Sequence, residues 1–181
     1  AYDESGWSTG STGNFRCVAC PKFSNTVTPG TWTALEQKTM ASECLCQPGY
    51  AGTITGAEST TDTCSQCSAG YYKSHYGTAA CDQCQANSAS PAGSDNVNDC
   101  LCLPGYYLSG SHTDGSPGTC LDCPTGHFKA DIGQQACVAC PENSDTWDPN
   151  DYASGHTTSK LTARTSATDC TCDVSYSGII H

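Results

Sequence analysis

The sequence has few positive charges, few apolar residues and no long hydrophobic run. Its 181 residues carry 7 Lys plus Arg against 18 Asp plus Glu, which gives a net charge of -11. Because phosphate binding needs clustered cations, this balance argues against a nucleic-acid partner. The hydrophobic fraction is 36% even with the cysteines counted, so a conventional apolar core is not expected. No window approaches about eighteen apolar residues, and we therefore predict no membrane span.

Cysteine, by contrast, is abundant. The 16 cysteines make up about 9% of the chain, a level typical of a disulfide scaffold. Because disulfides persist in oxidising compartments, this predicts a secreted or cell-surface protein. Zinc is the alternative, since five CxxC and three CxC pairs could supply clustered thiolates. The acidity of the chain argues against zinc, so we predict no metal and no cofactor.

The cysteines follow a repeat whose complete copy spans residues 64–102. We label its six cysteine positions a to f: Cys64, Cys67, Cys81, Cys84, Cys100 and Cys102. The next position a follows 56 residues later, and the interval stretches to 64 or 70 residues where the segment between d and e is longer. A repeat of this length implies a linear array of modules that mostly contact their neighbours. Without sustained helical spacing, short β-hairpins and little helix are predicted in an elongated, small disulfide-rich fold.

The repeat frame divides the chain into three segments. Residues 1–63 form an N-terminal arm and a partial repeat, residues 64–119 the complete repeat, and residues 120–181 a repeat with a long loop and a C-terminal tail. The first two cysteines occupy c and d, because C-V-A-C-P occurs at residues 17–21 and again at residues 137–141. The chain starts with Ala1 rather than Met, and we interpret it as a form that has lost a signal peptide. Stretches rich in Ser and Thr are candidate sites for O-linked glycans or simply solvated loops.

Three motifs, C-x-x-C-x-x-G-[YH]-[YF]-K, C-x-x-C-x-x-N-S and G-S-x-x-x-x-D-C-x-C-x-P-G-Y, resemble the cysteine-rich ephrin-receptor-like repeat, an EGF-like module. The resemblance covers nearly all of residues 17–178. It implies an extracellular module of small β-hairpins that serves as a spacer or assembly element rather than as an enzyme. The chain departs from the pattern in its long segments between d and e, and in Val174-Ser175, which replaces Pro-Gly before Tyr176.

The resemblance also implies a disulfide order. The EGF order pairs b with d, c with e, and f with the following a. This gives Cys67–Cys84, Cys81–Cys100, Cys123–Cys140, Cys137–Cys170, Cys17–Cys44, Cys46–Cys64 and Cys102–Cys120. A sequential order, b with c and d with e, is the rival, and the sequence does not choose between them. Both orders share the last two pairs in that series.

Either order leaves two cysteines over, one at each end of the chain. One is Cys172, and the other is Cys20 under the EGF order or Cys17 under the sequential order. An unpaired cysteine in a secreted protein suggests an intermolecular bond. Head-to-tail contacts of this kind do not close, so they build a filament of identical copies. A longer repeat protein and an internal bond between the two ends are the alternatives.

Three further groups of residues bear on binding or chemistry. Aromatic residues that follow a glycine at fixed offsets from cysteines are expected to pack on disulfides: Tyr50, Tyr71, Tyr72, Tyr106, Tyr107 and Phe128. Acidic residues before position e are expected to cap turns, with calcium as the alternative: Glu43, Asp99 and Asp169. Large apolar residues in the arm, the long loops and the tail are candidates for an assembly interface: Trp7, Trp32, Trp147, Ile179 and Ile180. The last two could add a short edge strand.

The five histidines show no shared spacing and no paired nucleophile, so catalysis is not predicted. We therefore expect an extracellular structural repeat protein, the subunit of a head-to-tail surface filament or appendage, whose partner is itself. The alternative is a spacer or binding segment of a larger receptor or matrix ectodomain. A protist surface coat antigen is a further alternative.

Overall fold

The computed structural model describes residues 20–26, 44–54, 63–110, 118–153, 159–173, 175–178 and 180. Within these ranges the regular structure consists of fourteen strands of two to four residues. In chain order they are β1 Ser24–Thr26, β2 Cys44–Cys46, β3 Tyr50–Ala51, β4 Ser65–Gln66, β5 Tyr71–Tyr72, β6 Asp82–Gln83, β7 Ser88–Ala89, β8 Leu101–Cys102, β9 Tyr106–Ser109, β10 Thr119–Asp122, β11 His127–Phe128, β12 Val138–Ala139, β13 Ser144–Asp145 and β14 Thr171–Cys172. The helices are α1 Pro149–Ala153 and two 3-10 turns, Val97–Asp99 and Ala167–Asp169.

Each strand pairs antiparallel with the next strand along the chain, which gives seven two-stranded hairpins in the described part. An isolated hairpin of this size is at best marginally stable in water. Disulfides constrain the unfolded chain, and they supply the stability that a large hydrophobic core would otherwise give. The prediction of a small disulfide-rich fold with short hairpins and little helix is confirmed.

The hairpins are of three kinds that recur along the chain. β1–β2, β7–β8 and β13–β14 join the residues after position d to the CxC pair of the same repeat. β5–β6 and β11–β12 join the residues after position b to those after position c. β3–β4 and β9–β10 join the residues after one CxC pair to the first CxxC pair of the next repeat. The third kind therefore couples consecutive repeats through backbone hydrogen bonds.

A tight turn three residues after position d starts the first kind of hairpin. The turn residues Asn87 and Asn143 adopt φ angles of 60° and 59°, in the left-handed region that asparagine tolerates better than most residues. The serine that follows each of them donates its hydroxyl to the carbonyl three residues earlier: Ser88 to Gln85 at 2.6 Å and Ser144 to Pro141 at 2.7 Å. The Asn-Ser pair of the motif C-x-x-C-x-x-N-S therefore forms this turn.

The seven disulfides of the described part follow the sequential order. They are Cys20–Cys44, Cys46–Cys64, Cys67–Cys81, Cys84–Cys100, Cys102–Cys120, Cys123–Cys137 and Cys140–Cys170. The two pairs shared by both orders, Cys46–Cys64 and Cys102–Cys120, are confirmed.

The EGF-type pairs of b with d and c with e are wrong for this chain. The hairpin pairing explains why. Tyr72 lies opposite Asp82 in the β5–β6 hairpin, so the segment after b folds back directly onto c. The β7–β8 hairpin in turn brings the residues after d beside the CxC pair. Because Cys20 bonds Cys44, Cys20 is not the N-terminal cysteine left over. The sequential order assigns that role to Cys17, which lies outside the described residues, so its bonding stays a prediction.

Disulfides and single aromatic rings form the small cores. One cluster contains Tyr72, Val97 and the disulfide Cys84–Cys100. Burial, and then the charge of Asp82, raises the pKa of the Tyr72 phenol. The prediction that rings after the glycine pack on disulfides is confirmed for Tyr72.

The acidic residues before position e serve as helix caps. Asp99 Oδ2 accepts the Asn96 N–H at 3.2 Å, and Asp169 Oδ2 accepts the Ser166 N–H at 3.0 Å. Each contact completes a capping box on a 3-10 turn. Glu43 lies outside the described residues. Among the residues that are described, no cluster of three or more His, Cys, Asp and Glu side chains could hold a metal.

Candidate functional site

Two lysines are buried where one repeat meets the next. Lys73 has no exposed surface, and Lys129 is 2% exposed. The Lys129 ammonium donates to the carbonyl oxygens of Cys102 at 3.3 Å, Tyr106 at 2.7 Å and Gly133 at 2.8 Å. Burial lowers the pKa of the Lys129 amine, an effect that the nearby Asp131 charge opposes. The lysine therefore ties the end of one repeat to the first hairpin of the following repeat.

The earlier junction has two of these three contacts 56 residues upstream. Lys73 Nζ donates to Tyr50 O at 2.8 Å and to Gly77 O at 2.5 Å. We name the five residues from position f onward a corner, so the corners are residues 46–50, 102–106 and 172–176. A joint is a corner together with the hairpin of the next repeat that packs on it.

Backbone hydrogen bonds complete each joint. In the second joint, Gly105 N–H donates to Lys129 O at 2.8 Å, and Gly133 N–H donates to Cys102 O at 2.9 Å. Cys123 N–H then donates to Gly105 O at 2.8 Å. The first joint repeats this pattern at the matching positions. With its disulfide from f to a, each joint is a short covalent and hydrogen-bonded connection with little freedom to bend.

The second corner also requires a glycine. Gly105 has a φ of 82°, and a Cβ placed on it would lie 2.6 Å from the Ala163 carbonyl oxygen. The left-handed φ costs other residues about 1 to 2 kcal/mol, and the contact leaves no room for a methyl group. The glycine of the L-P-G-Y-Y sequence is therefore fixed by a close approach between two backbone segments.

The third corner has the same turn without a following hairpin in the described residues. Tyr176 N–H donates to Asp173 O at 3.0 Å, as Tyr106 N–H donates to Leu103 O at 3.1 Å. Ser175 takes the place of the corner glycine and adopts a φ of 77°. The Cys172 thiol forms no disulfide within the described part of the chain, and Tyr176 is 55% exposed.

The long loop before the third corner holds that corner in place. Trp147 Nε1 donates to Asp173 Oδ1 at 3.0 Å, and the Lys160 ammonium lies 4.7 Å above the Trp147 ring. Lys160 also forms a short ion pair with Asp145. We call these four residues the loop clasp. Its contacts offset the strain of a serine in a glycine conformation, which is typically about 1 to 3 kcal/mol.

We expect acid to open the loop clasp. Burial would raise the pKa of the Asp145 carboxyl, but hydrogen bonds from Lys160 and the Thr146 N–H, with the charges of Lys160 and His127, hold this pKa below its usual value of 3.8. Because the folded-state pKa is depressed, the stability that Asp145 contributes is complete above pH 3.8 and disappears as the pH falls through the folded value. The Trp147 indole N–H resonance should report this transition.

Asp145→Asn should remove most of the pH dependence of that resonance, whereas Asp148→Asn, a carboxyl of the same loop, should leave it in place. Trp147→Phe assigns the signal among the three tryptophans. An indole signal that does not change with pH in the wild-type chain would contradict the role given to Asp145.

The predicted interface residues fall in different settings. Trp7, Trp32 and Ile179 lie outside the described residues, so their role stays a prediction. Trp147 is half-buried in the loop clasp, and Ile180 is half-buried without belonging to a strand. The part of the chain that is described contains no helix long and apolar enough to cross a membrane.

Sequence reasoning overlooked the two joint lysines. A signal was present, because Lys73 and Lys129 end the same motif, C-x-x-C-x-x-G-[YH]-[YF]-K, in a chain with only 7 Lys plus Arg. A cation that recurs at one position of an acidic repeat suggests a buried structural role. The backbone acceptors, two for Lys73 and three for Lys129, are brought together only by folding, and no sequence pattern reveals them.

Comparison with known proteins supports the same architecture. Residues 105–170 match the family model described as "Tyrosine-protein kinase ephrin type A/B receptor-like". This segment is similar to the ephrin-receptor-like repeat. The second joint and the loop clasp both lie largely within it. The resemblance seen in the sequence motifs is thus confirmed.

Several curated proteins are similar to larger parts of the chain. "Cysteine repeat modular protein A" of Toxoplasma gondii is 24% identical over 88% of this chain and 5% of its own length. "Signal peptide, CUB and EGF-like domain-containing protein 2" of Danio rerio is 29% identical over 74% of this chain and 13% of its own length. "Ephrin type-B receptor 2" of Coturnix japonica is 42% identical over 28% of this chain and 5% of its own length.

The chain therefore spans a small part of each relative to which it is similar. These relatives are extracellular or secreted cysteine-rich proteins of receptor and matrix type. They share the modular architecture of this chain.

Proposed function

We propose that this chain is an extracellular structural repeat protein whose copies join head to tail, with its ephrin-receptor-like repeats as stiff spacers. One observation carries the proposal. Cys46 and Cys102, at position f of the first two repeats, are each bonded to the first cysteine of the next repeat. Cys172 occupies the same position and has no disulfide partner among the described residues. The last repeat thus keeps the cysteine that the earlier repeats use for a joint.

Two further features support an extracellular location and a structural role. Seven disulfides need an oxidising compartment to form and persist, which favours a secreted or cell-surface protein. The buried lysine and the backbone bonds fix each repeat on the next, as a spacer requires. Identical copies are the proposed partner, and O-linked glycans stay a prediction for the loops rich in Ser and Thr.

The test is non-reducing electrophoresis of the oxidised full chain. The wild-type chain is expected to give a ladder of multimers that reduction converts to a monomer of 18.8 kDa. Cys172→Ser should remove the ladder, because the joint loses its only covalent link. Ser177→Ala, an exposed neighbour, is the matched control and should keep it. A ladder that persists in Cys172→Ser would refute the assigned linkage.

A second candidate function is a spacer segment within a larger ectodomain. The small share of each relative that the chain covers favours this function, because the chain corresponds to between 3% and 13% of the length of these five relatives. Under this hypothesis, Cys172 would bond the first cysteine of a following repeat in the same polypeptide. A purified chain that stays monomeric under oxidising conditions would favour this function over head-to-tail assembly.

A further inference from the structure

We propose that Asn98 carries an N-linked glycan, which is attached before Cys100 bonds Cys84 and whose first sugar covers a concavity beside the Asn98 side chain. The inference goes beyond the proposed assembly and rests only on its extracellular location, because this modification occurs on chains that enter the secretory pathway. The acceptor sequence, the exposed amide and the concavity carry the inference.

The acceptor sequence is Asn98-Asp99-Cys100. N-linked glycans are attached in the sequence N-x-S/T, where x is not proline and the third residue presents a hydroxyl to the transferase. No N-x-S/T sequence occurs in the 181 residues, and Asn98 alone has a cysteine two residues later. A thiol can stand in for the hydroxyl, but it is a weaker hydrogen-bond donor. We therefore expect a part of the chains, rather than all of them, to be modified at Asn98.

The fold does not use the Asn98 side chain. Asn98 is exposed in the 3-10 turn Val97–Asp99, whose capping box is formed by Asn96 and Asp99. The Asn98 backbone N–H donates to Asn96 Oδ1 at 2.9 Å, and its carbonyl oxygen accepts from Gln134 Nε2 at 3.2 Å. Its side-chain amide forms no hydrogen bond with the part of the chain that the structure describes. A glycan on Asn98 Nδ2 is therefore compatible with the folded turn.

The matching turn of the third repeat shows that the asparagine is not required for folding. Thr168 stands at the position of Asn98 in the 3-10 turn Ala167–Asp169, which has a capping box of the same form. Asn98→Thr should thus preserve the turn while it removes the acceptor nitrogen. The third repeat therefore supplies a variant that separates the modification from folding.

The folded chain is not a substrate for the transferase. Cys100 has no exposed surface and is bonded to Cys84, so its thiol is absent once the repeat has folded. Cys84 precedes Cys100 by 16 residues and competes for that thiol in the oxidising compartment. Disulfide formation takes about seconds to hours and the ribosome adds about 5 to 20 residues each second, so the thiol persists while Asn98 passes the transferase. The glycan is therefore attached first, and the disulfide forms second.

The transfer needs no oxidant, and its donor is an oligosaccharide linked to a lipid through a diphosphate. Asn98 Nδ2 forms a bond to C1 of the first sugar, the bond from C1 to the diphosphate oxygen breaks, and Nδ2 loses one proton. The lipid diphosphate leaves. The Cys100 thiol is unchanged by the transfer and bonds Cys84 afterwards.

A concavity of about 360 Å³ lies beside the acceptor, within the range of about 300 to 1,000 Å³ that is typical of small-molecule sites. The buried side chains of Tyr72 and Val97 give it an apolar part. Ser74 and Asp82 also line it, and neither side chain forms a hydrogen bond or an ion pair with the described residues. An N-acetylhexosamine presents an apolar face and an acetyl group beside its hydroxyls, which suits such a surface. Because Asn98 itself lines the concavity, the first sugar on its Nδ2 lies over it.

The experiment expresses the full chain behind the signal peptide of a eukaryotic host cell and collects the secreted protein. Peptide mapping after release of the glycan by peptide-N-glycosidase in heavy-oxygen water should find labelled aspartate at this position in a part of the molecules. Asn98→Thr should lose the modification completely and retain the seven internal disulfides. Asn150→Thr changes an exposed asparagine outside the acceptor sequence, so this matched control should keep the glycan.

Two further measurements test the order of events and the position of the sugar. A pulse of reductant during synthesis should raise the modified fraction at least about twofold, because disulfide formation no longer competes for the Cys100 thiol. After enzymatic trimming to a single sugar, nuclear Overhauser contacts should connect its acetyl methyl group to protons of Tyr72 or Val97.

Three results would overturn the inference. An unmodified Asn98 in the secreted wild-type chain refutes the site, and a modified fraction that the reductant does not raise refutes the order. A trimmed sugar without contacts to Tyr72 and Val97 refutes its placement over the concavity. None of these readouts depends on the ladder of multimers, so a failure of the inference is distinguished from a failure of head-to-tail assembly.

Discussion

Lys129→Met is expected to lower the free energy of opening of the second joint by about 3 to 5 kcal/mol. Lys129 is 2% exposed, and its ammonium donates to three backbone carbonyls. Its removal takes the ammonium donor away from the Tyr106 and Gly133 carbonyls, whereas the Cys102 carbonyl keeps the Gly133 N–H. Each lost hydrogen bond to a charged group typically costs about 1.5 to 3 kcal/mol. Methionine preserves most of the volume, so the loss reports on the hydrogen bonds rather than on a cavity.

Native-state hydrogen exchange measures the effect locally, because the disulfides keep the rest of the chain folded. The amides of Gly105 and Gly133 should exchange at least about a hundredfold faster in Lys129→Met. The corresponding amides of the first joint, Gly49 and Gly77, serve as controls in the same molecule and should not change. Lys22→Met, at an exposed lysine, should affect neither joint. Equal protection of both joints in Lys129→Met would show that the ammonium is not needed.

Gly105→Ala is expected to destabilise the same joint by about 3 kcal/mol. Two causes act together: a φ of 82°, which costs a residue with a Cβ about 1 to 2 kcal/mol, and a methyl group 2.6 Å from the Ala163 carbonyl oxygen. The backbone must move away from that oxygen, and the movement breaks the bond from Gly105 N–H to Lys129 O.

Gly70→Ala separates the two causes. Gly70 also has a φ of 82°, but a Cβ there would meet nothing within 4 Å. Its expected cost is the conformational part alone, about 1 to 2 kcal/mol. Chemical denaturation of both variants under oxidising conditions gives the comparison. If the two variants lose the same stability, the close approach at Gly105 contributes nothing.

The disulfide order shows where the sequence left alternatives open. Cysteine spacing alone allowed both the EGF and the sequential orders, because each closes loops of comparable length. The turns decide between them: Asn87 and Asn143 reverse the chain so that the residues after d lie along the CxC pair. Loops of similar length have similar closure entropies, so local turn geometry rather than chain entropy selects the partners.

The joint lysines show a second limit of prediction from the sequence. Lys73 and Lys129 are visible in the sequence as recurring cations, yet burial of an ammonium is costly without partners. The carbonyls that compensate for this cost come from the preceding corner and from a turn four residues later. Only the packed backbone brings them to one point.

The sequence by itself determined the repeat frame, the disulfide-rich fold class and the ephrin-receptor-like character. These follow from composition and from the spacing of residues along the chain, which folding does not alter. The tertiary structure decided which cysteines pair, which two lysines fasten the repeats, and that Ser175 adopts the left-handed φ of the corner glycines. Each depends on contacts between residues distant in sequence, whose energies exist only once the hairpins have formed.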